Sequence, residues 1–152
     1  MEWFNYIGLI FIAAIMLPNV IFAFTNKEGF KNYYNNKIIE ALEQIGRFGC
    51  FIFMIINIPS LTIGYLFDGA RLTYVIFGSG LVLMYVLGWI IFWKKSLVLK
   101  SLFLSVVPSL LFLGCGVFTL NIPLLGLAAI FAPCHVYISY KNARLKKEEE
   151  TI

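Results

Sequence analysis

The sequence predicts an all-α membrane protein: a compact bundle of five transmembrane helices with one amphipathic helix at the cytoplasmic interface. Three observations predict it. Of the 152 residues, 61% are hydrophobic and only 13% charged, with a mean hydropathy of +0.86. Soluble domains carry about 25% charge, so this chain cannot cover a water-facing surface, and a soluble or disordered chain is excluded. Second, its uncharged runs reach the roughly 20 apolar residues that a helix needs to cross about 30 Å of hydrocarbon. Third, nothing alternates apolar and polar at period two, as barrel strands would.

The elements follow in order as one transmembrane domain, 1–152. The first span covers 3–24. An amphipathic helix over 37–47 follows, lying at the interface or running into the second span, with Ile38, Ile39, Ala41, Leu42 and Ile45 apolar and Glu40, Glu43, Gln44 and Arg47 polar. Glu43 and Arg47 stand at i,i+4 with the acid first, the favoured order for a pair. Near water such a pair is worth under about 1 kcal/mol. Spans at 48–67 and 72–93 come next. Ser101 to Tyr140 then contains no Asp, Glu, Lys or Arg and one histidine, His135. That length is two crossings, 101–120 and 122–140, folded at Asn121-Ile122-Pro123, where Asn121 can cap and Pro123 sits in the first turn. A charged helical tail, 141–152, ends the chain.

The basic residues set the orientation. Lys27, Lys31, Lys37 and Arg47 precede the second span, Lys94, Lys95 and Lys100 lie between the third and fourth, and Lys141, Arg144, Lys146 and Lys147 follow the fifth. All belong on one side, leaving only Arg71 on the other. The N-terminus is therefore expected outside and the C-terminus in the cytoplasm. Met1-Glu2 offers no basic start of a signal peptide, so the first helix is expected to be retained. The net charge of +4 is an orientation signal; no motif supports nucleic-acid binding. Cys50, Cys115 and Cys134 form no CxxC and read as reduced packing residues.

Depth along the helices identifies the candidate site. At about 1.5 Å per residue, Asn19 and His135 both lie about 9 Å inside the cytoplasmic boundary, each just after a proline, Pro18 and Pro133. A proline removes a helical hydrogen bond and frees a carbonyl one turn back. Ser101, Ser105 and Ser109 recur every fourth residue beside Pro108. A pocket built of Asn19, Ser105, Ser109 and His135, with Arg47 at its mouth, is one reading, because breaks and polar groups at membrane depth are tolerated where they line a cavity. A small-residue packing seam is the other. Asn57-Ile58-Pro59 and Asn121-Ile122-Pro123, each preceded by a Gly-Cys pair, hint at an internal repeat.

Catalysis finds little support. Cys134 and His135 are adjacent and point about 100° apart on a helix, so they form no nucleophile–base dyad. No metal-ligand spacing, cofactor motif or phosphate loop is present; the expectation is no metal and no cofactor, with an enzyme the less favoured reading.

Two stretches, Glu40-Ala41-Leu42-Glu43-Gln44-Ile45-Gly46-Arg47-Phe48-Gly49-Cys50 and Phe131-Ala132-Pro133-Cys134-His135-Val136-Tyr137-Ile138-Ser139-Tyr140-Lys141-Asn142, resemble an uncharacterised group of small polytopic membrane proteins from low-GC Gram-positive bacteria. The resemblance implies a bacterial plasma membrane and brings no activity with it. The leading expectation is a small carrier, permeation module or ligand-binding protein with a cytoplasm-facing pocket for a small polar or anionic ligand. The alternatives are an accessory, immunity or assembly subunit that binds other membrane proteins or copies of itself, and, third, a lipid-modifying enzyme. The lipid bilayer is its partner in every case.

Overall fold

The computed structural model describes residues 2–26, 32–93 and 98–149. It contains five α-helices: α1 Tyr6–Thr25, α2 Lys37–Ile55, α3 Ala70–Phe92, α4 Val98–Phe118 and α5 Ile122–Glu149. Four of them, α1, α3, α4 and α5, are long and apolar enough to cross a membrane. No strand occurs among the described residues. Lys27, Lys31, Lys94 and Lys95 lie outside them, as do the ends of the chain at Met1 and 150–152.

The helices close into a ring. α1 packs against α3 and α2, α2 against α5, α5 against α4, and α4 against α3, with α2 also touching α4 across the ring. In its most apolar window, half of α4 is buried (50%), against 22% for α1 and α3 and 17% for α5, so α4 is the most enclosed spanning helix. The exterior carries large apolar side chains such as Ile10, Leu17, Phe24, Leu72, Ile76 and Ile90, a surface suited to lipid.

The largest departure from expectation is α2. The amphipathic segment 37–47 runs into the second span, one of the two expected arrangements, but the span 48–67 is cut short: one helix runs from Lys37 and stops at Ile55. Asn36 caps its start, its side chain accepting from the Ile38 and Ile39 N–H groups. Its end is written by Pro59, whose ring would collide with the carbonyl four residues earlier, that of Ile55. The Ile55 carbonyl instead accepts from the Asn5 N–H at 2.7 Å. Residues 56–69 are irregular, not transmembrane helix.

What α2 turns inward is a stripe of small residues with one acid. Ile38, Leu42, Ile45, Phe48 and Ile52 point outward, while Glu43, Gly46, Cys50 and Met54 are buried. Small residues face the neighbouring helix because packing between helices in lipid depends on close backbone approach. Gly46 sets that approach, since a Cβ there would meet Phe131 Cβ at 2.8 Å and its backbone at 3.0 Å.

Asparagines hold the irregular end together. Asn5 caps α1 through the Gly8 N–H and donates to the Met54 carbonyl and Tyr74 hydroxyl. Asn57 donates to the Glu2 carbonyl. Asn121 caps α5 through the Leu124 N–H, as the sequence predicts, and also donates to the Phe53 carbonyl. The N-terminal segment pairs with residue 56 (Phe4 with Ile56), and the 56–69 segment pairs with the α4–α5 turn (Thr62 with Asn121). The two Asn-Ile-Pro triplets therefore do different work: Pro59 lies beyond a helix end, Pro123 within a first turn. The end of α4 is a Schellman motif, with Asn121 N–H bonded to the Gly116 carbonyl, Leu120 N–H to that of Val117, and Leu120 left-handed at φ 44°.

Candidate functional site

At the opposite end the ring frames an open-sided cavity of about 1320 Å³, lined by residues of all five helices. The C-terminal halves of α1, α3 and α5 and the N-terminal halves of α2 and α4 meet there; α1 and α3 are parallel neighbours and the other pairs in the ring antiparallel. Asn19, Arg47, Ser105 and His135 all line it. Ser109 is buried but is not among the lining residues; its hydroxyl donates to the Ser105 carbonyl on its own helix.

Equal depth along two helices does bring Asn19 and His135 to one cavity, but to different partners. Asn19 donates to the Tyr85 hydroxyl at 2.8 Å and to the Ile15 carbonyl at 2.9 Å, tying α1 to α3. Tyr85 sits among apolar residues of α3, and its hydroxyl is the polar signal in that helix that depth reasoning passed over. The proline-freed carbonyls are not the targets: Asn19 bonds the carbonyl after the one that Pro18 frees, and His135 reaches across to α2.

The centre of the site is Glu43. Its side chain is 3% exposed, and one oxygen, Oε1, receives the Nε and Nη2 of Arg47 and lies 2.8 Å from Nδ1 of His135. The expectation of a solvated Glu43–Arg47 pair is therefore corrected. The pair has the predicted i,i+4 geometry, but its acid is inside the ring and shared with α5. Burial of a carboxylate is costly unless it is paired and hydrogen-bonded, and Arg47 and His135 meet that need. Arg47 remains 34% exposed and His135 21%. The contact with a carboxylate places the proton of a neutral His135 on Nδ1, and the ring stacks on Phe131 at 4.6 Å. The signal for Glu43 was its register: it shares a stripe with Gly46 and Cys50, the face that turns inward.

The opposite wall is aromatic. Phe22, Trp89 and Trp93 pack together, with Phe22–Trp89 centroids 4.8 Å apart and Phe22–Trp93 5.4 Å. The Lys100 ammonium stands 4.7 Å from the Phe22 centroid and 5.0 Å from that of Trp89, and donates to the Trp93 carbonyl. Trp89 is buried, and its indole N–H faces the Tyr85 hydroxyl. Lys100, expected between two helices, lies in the first turn of α4.

A short roof crosses the mouth. The Asn142 side-chain carbonyl accepts from the Tyr33 and Tyr34 N–H groups at 2.8 and 2.7 Å, and Tyr34 packs edge-on against Tyr137 at 5.5 Å. Asn32 donates to Glu40. Lys37, Arg47, Lys100 and Lys146 line the cavity against Glu40 and Glu43, so with a neutral His135 cations outnumber carboxylates by two. Among the described residues no cluster of His, Cys, Asp and Glu could hold a metal ion. No family model, curated protein or solved structure matches the chain, so its function is read from this geometry.

Proposed function

We propose that this protein binds a small polar or anionic ligand in the five-helix cavity, as a ligand-binding or carrier protein of a bacterial plasma membrane. One observation carries the reading. A chain poor in charge concentrates Glu43, Arg47, His135 and Lys100 around a cavity larger than the roughly 300–1,000 Å³ typical of small-molecule pockets. Ionisable groups within a helical bundle are expensive, and paired ones that line a cavity are functional candidates. The basic residues at this end favour a cytoplasm-facing mouth. Single cysteines at Asn32 and Gly69 test that orientation in intact cells. An impermeant thiol reagent should label Gly69→Cys and spare Asn32→Cys, and the reverse pattern would invert it.

A second reading, a non-transporting accessory subunit, draws support from the serines. Ser105 and Ser109 turn their hydroxyls onto their own helix, as a packing seam would. Native mass spectrometry of protein extracted in mild detergent separates the two. A bound small molecule in the wild type, absent from a folded Ser101→Phe variant that fills the cavity, supports the ligand reading. A wild type without such a molecule, or the same adducts in both, supports the accessory reading.

A further inference from the structure

The cavity has two chemically different walls, and together they narrow the ligand class. On the α2–α5 side, the Arg47 guanidinium reaches Glu43 through Nε and Nη2 and is still 34% exposed. On the α1–α3–α4 side, the Lys100 ammonium lies over the faces of Phe22 and Trp89 and gives one donor to the Trp93 carbonyl. An ammonium has three donors, so this contact does not exhaust it. Apolar side chains that keep exposed surface, Met16, Phe51, Leu104 and Ile138, line the same space. A small hydrophilic anion would satisfy the cations and leave that apolar surface wet. A neutral amphiphile would cover the surface and leave the donors unpaired.

We propose that the cavity takes an amphiphilic anion, a phosphate or carboxylate carried on an apolar chain. Its headgroup lies at Lys100 and Arg47, and its chain lies along Met16, Phe51, Leu104 and Ile138. This deepens the ligand-binding reading above and rests on it. The same headgroup chemistry is available from a two-chain membrane phospholipid and from a single-chain amphiphile.

The test uses the full chain in amphipol, with tryptophan emission as the readout, titrated with dodecyl phosphate, dodecanol, inorganic phosphate and dioleoyl phosphatidic acid. Dodecyl phosphate should bind saturably, at least about tenfold tighter than dodecanol because charge-assisted hydrogen bonds are the strong ones. It should bind at least about 100-fold tighter than inorganic phosphate, given about 0.8 kcal/mol for each buried methylene. Lys100→Met keeps an apolar stem on the rings and should weaken dodecyl phosphate at least about tenfold while leaving dodecanol within about twofold. Lys100→Arg should restore most of the binding. If phosphatidic acid matches dodecyl phosphate, the source is a bilayer lipid; if only dodecyl phosphate binds, it is a single-chain amphiphile.

Equal affinity for dodecyl phosphate and dodecanol would overturn the proposal. So would inorganic phosphate binding as tightly as dodecyl phosphate, or Lys100→Met binding like wild type. If none of the four binds yet native mass spectrometry finds a Ser101→Phe-sensitive ligand, the amphiphile proposal fails and the ligand reading stands. If that ligand is absent too, both fail.

Discussion

The two ends of the bundle handle polarity in opposite ways. At the closed end, Asn5, Asn57 and Asn121 each spend their amides on backbone groups: the Met54, Glu2 and Phe53 carbonyls and the Gly8 and Leu124 N–H groups. These are neutral side chains that complete an irregular backbone, and water is not needed to do it. At the cavity end a buried carboxylate is answered by side chains, Glu43 pairing with Arg47 and His135, while Asn19, Lys100 and Ser105 bond backbone carbonyls. Neutral amides are the inexpensive way to satisfy backbone in lipid. Charges cost more and leave capacity for something else. The contrast separates residues that hold the fold from residues that shape a site.

Substitutions at the closed end should therefore act on stability, and those at the cavity end on binding. The largest effect is expected at Gly8, where a Cβ would meet the Met54 carbonyl oxygen at 2.0 Å. Gly8→Ala must push α1 off α2 and should cost about 3 kcal/mol, the upper range for overpacking, measured by thermal unfolding in detergent. A wild-type melting curve would mean that the α1–α2 contact is not built as described.

Asn121→Ala comes next. It removes the α5 cap and orphans the Phe53 carbonyl, for about 2 kcal/mol, visible in the same melt and in faster hydrogen exchange at the Leu124 amide. Glu43→Gln tests the other half of the comparison. Glutamine keeps the shape and can still accept from Arg47 and His135, and Arg47 is partly in solvent. The loss should be about 1 kcal/mol. A loss of 3 kcal/mol or more would make the cluster a structural element like the asparagines and erase the distinction.

The smallest effect belongs to the roof. Asn142→Ala frees the Tyr33 and Tyr34 N–H groups and should leave the melting temperature almost unchanged, for under about 1 kcal/mol. It should still abolish exchange protection at those two amides, read by mass spectrometry of the 32–36 segment. Retained protection would show that the roof is held by something other than Asn142.

Much of this was legible from the chain. Composition alone fixed the class, since few charges leave no soluble solution. Uncharged runs located α1, α3 and α4, and the start of α5, to within a few residues, because hydrocarbon thickness demands that length. Asn121 and Pro123 marked the start of α5 through local capping chemistry, which needs no tertiary information. Depth counting put Asn19 and His135 on one level, and rise per residue is a property of any helix.

Which faces meet is not a local property. The amphipathic pattern of residues 37–47 does not say which neighbour covers its other face; in the folded bundle the large apolar side chains face outward and Gly46 packs on α5. That packing carried Glu43 inside, to meet a histidine 92 residues away. Tyr85, Lys100 and Trp89 joined the site in the same way, from helices whose own sequences say nothing of their neighbours. Hydrophobicity sets where a segment lies in a membrane. Only packing, through close approach and the pairing of buried charge, decides which side chains share a cavity.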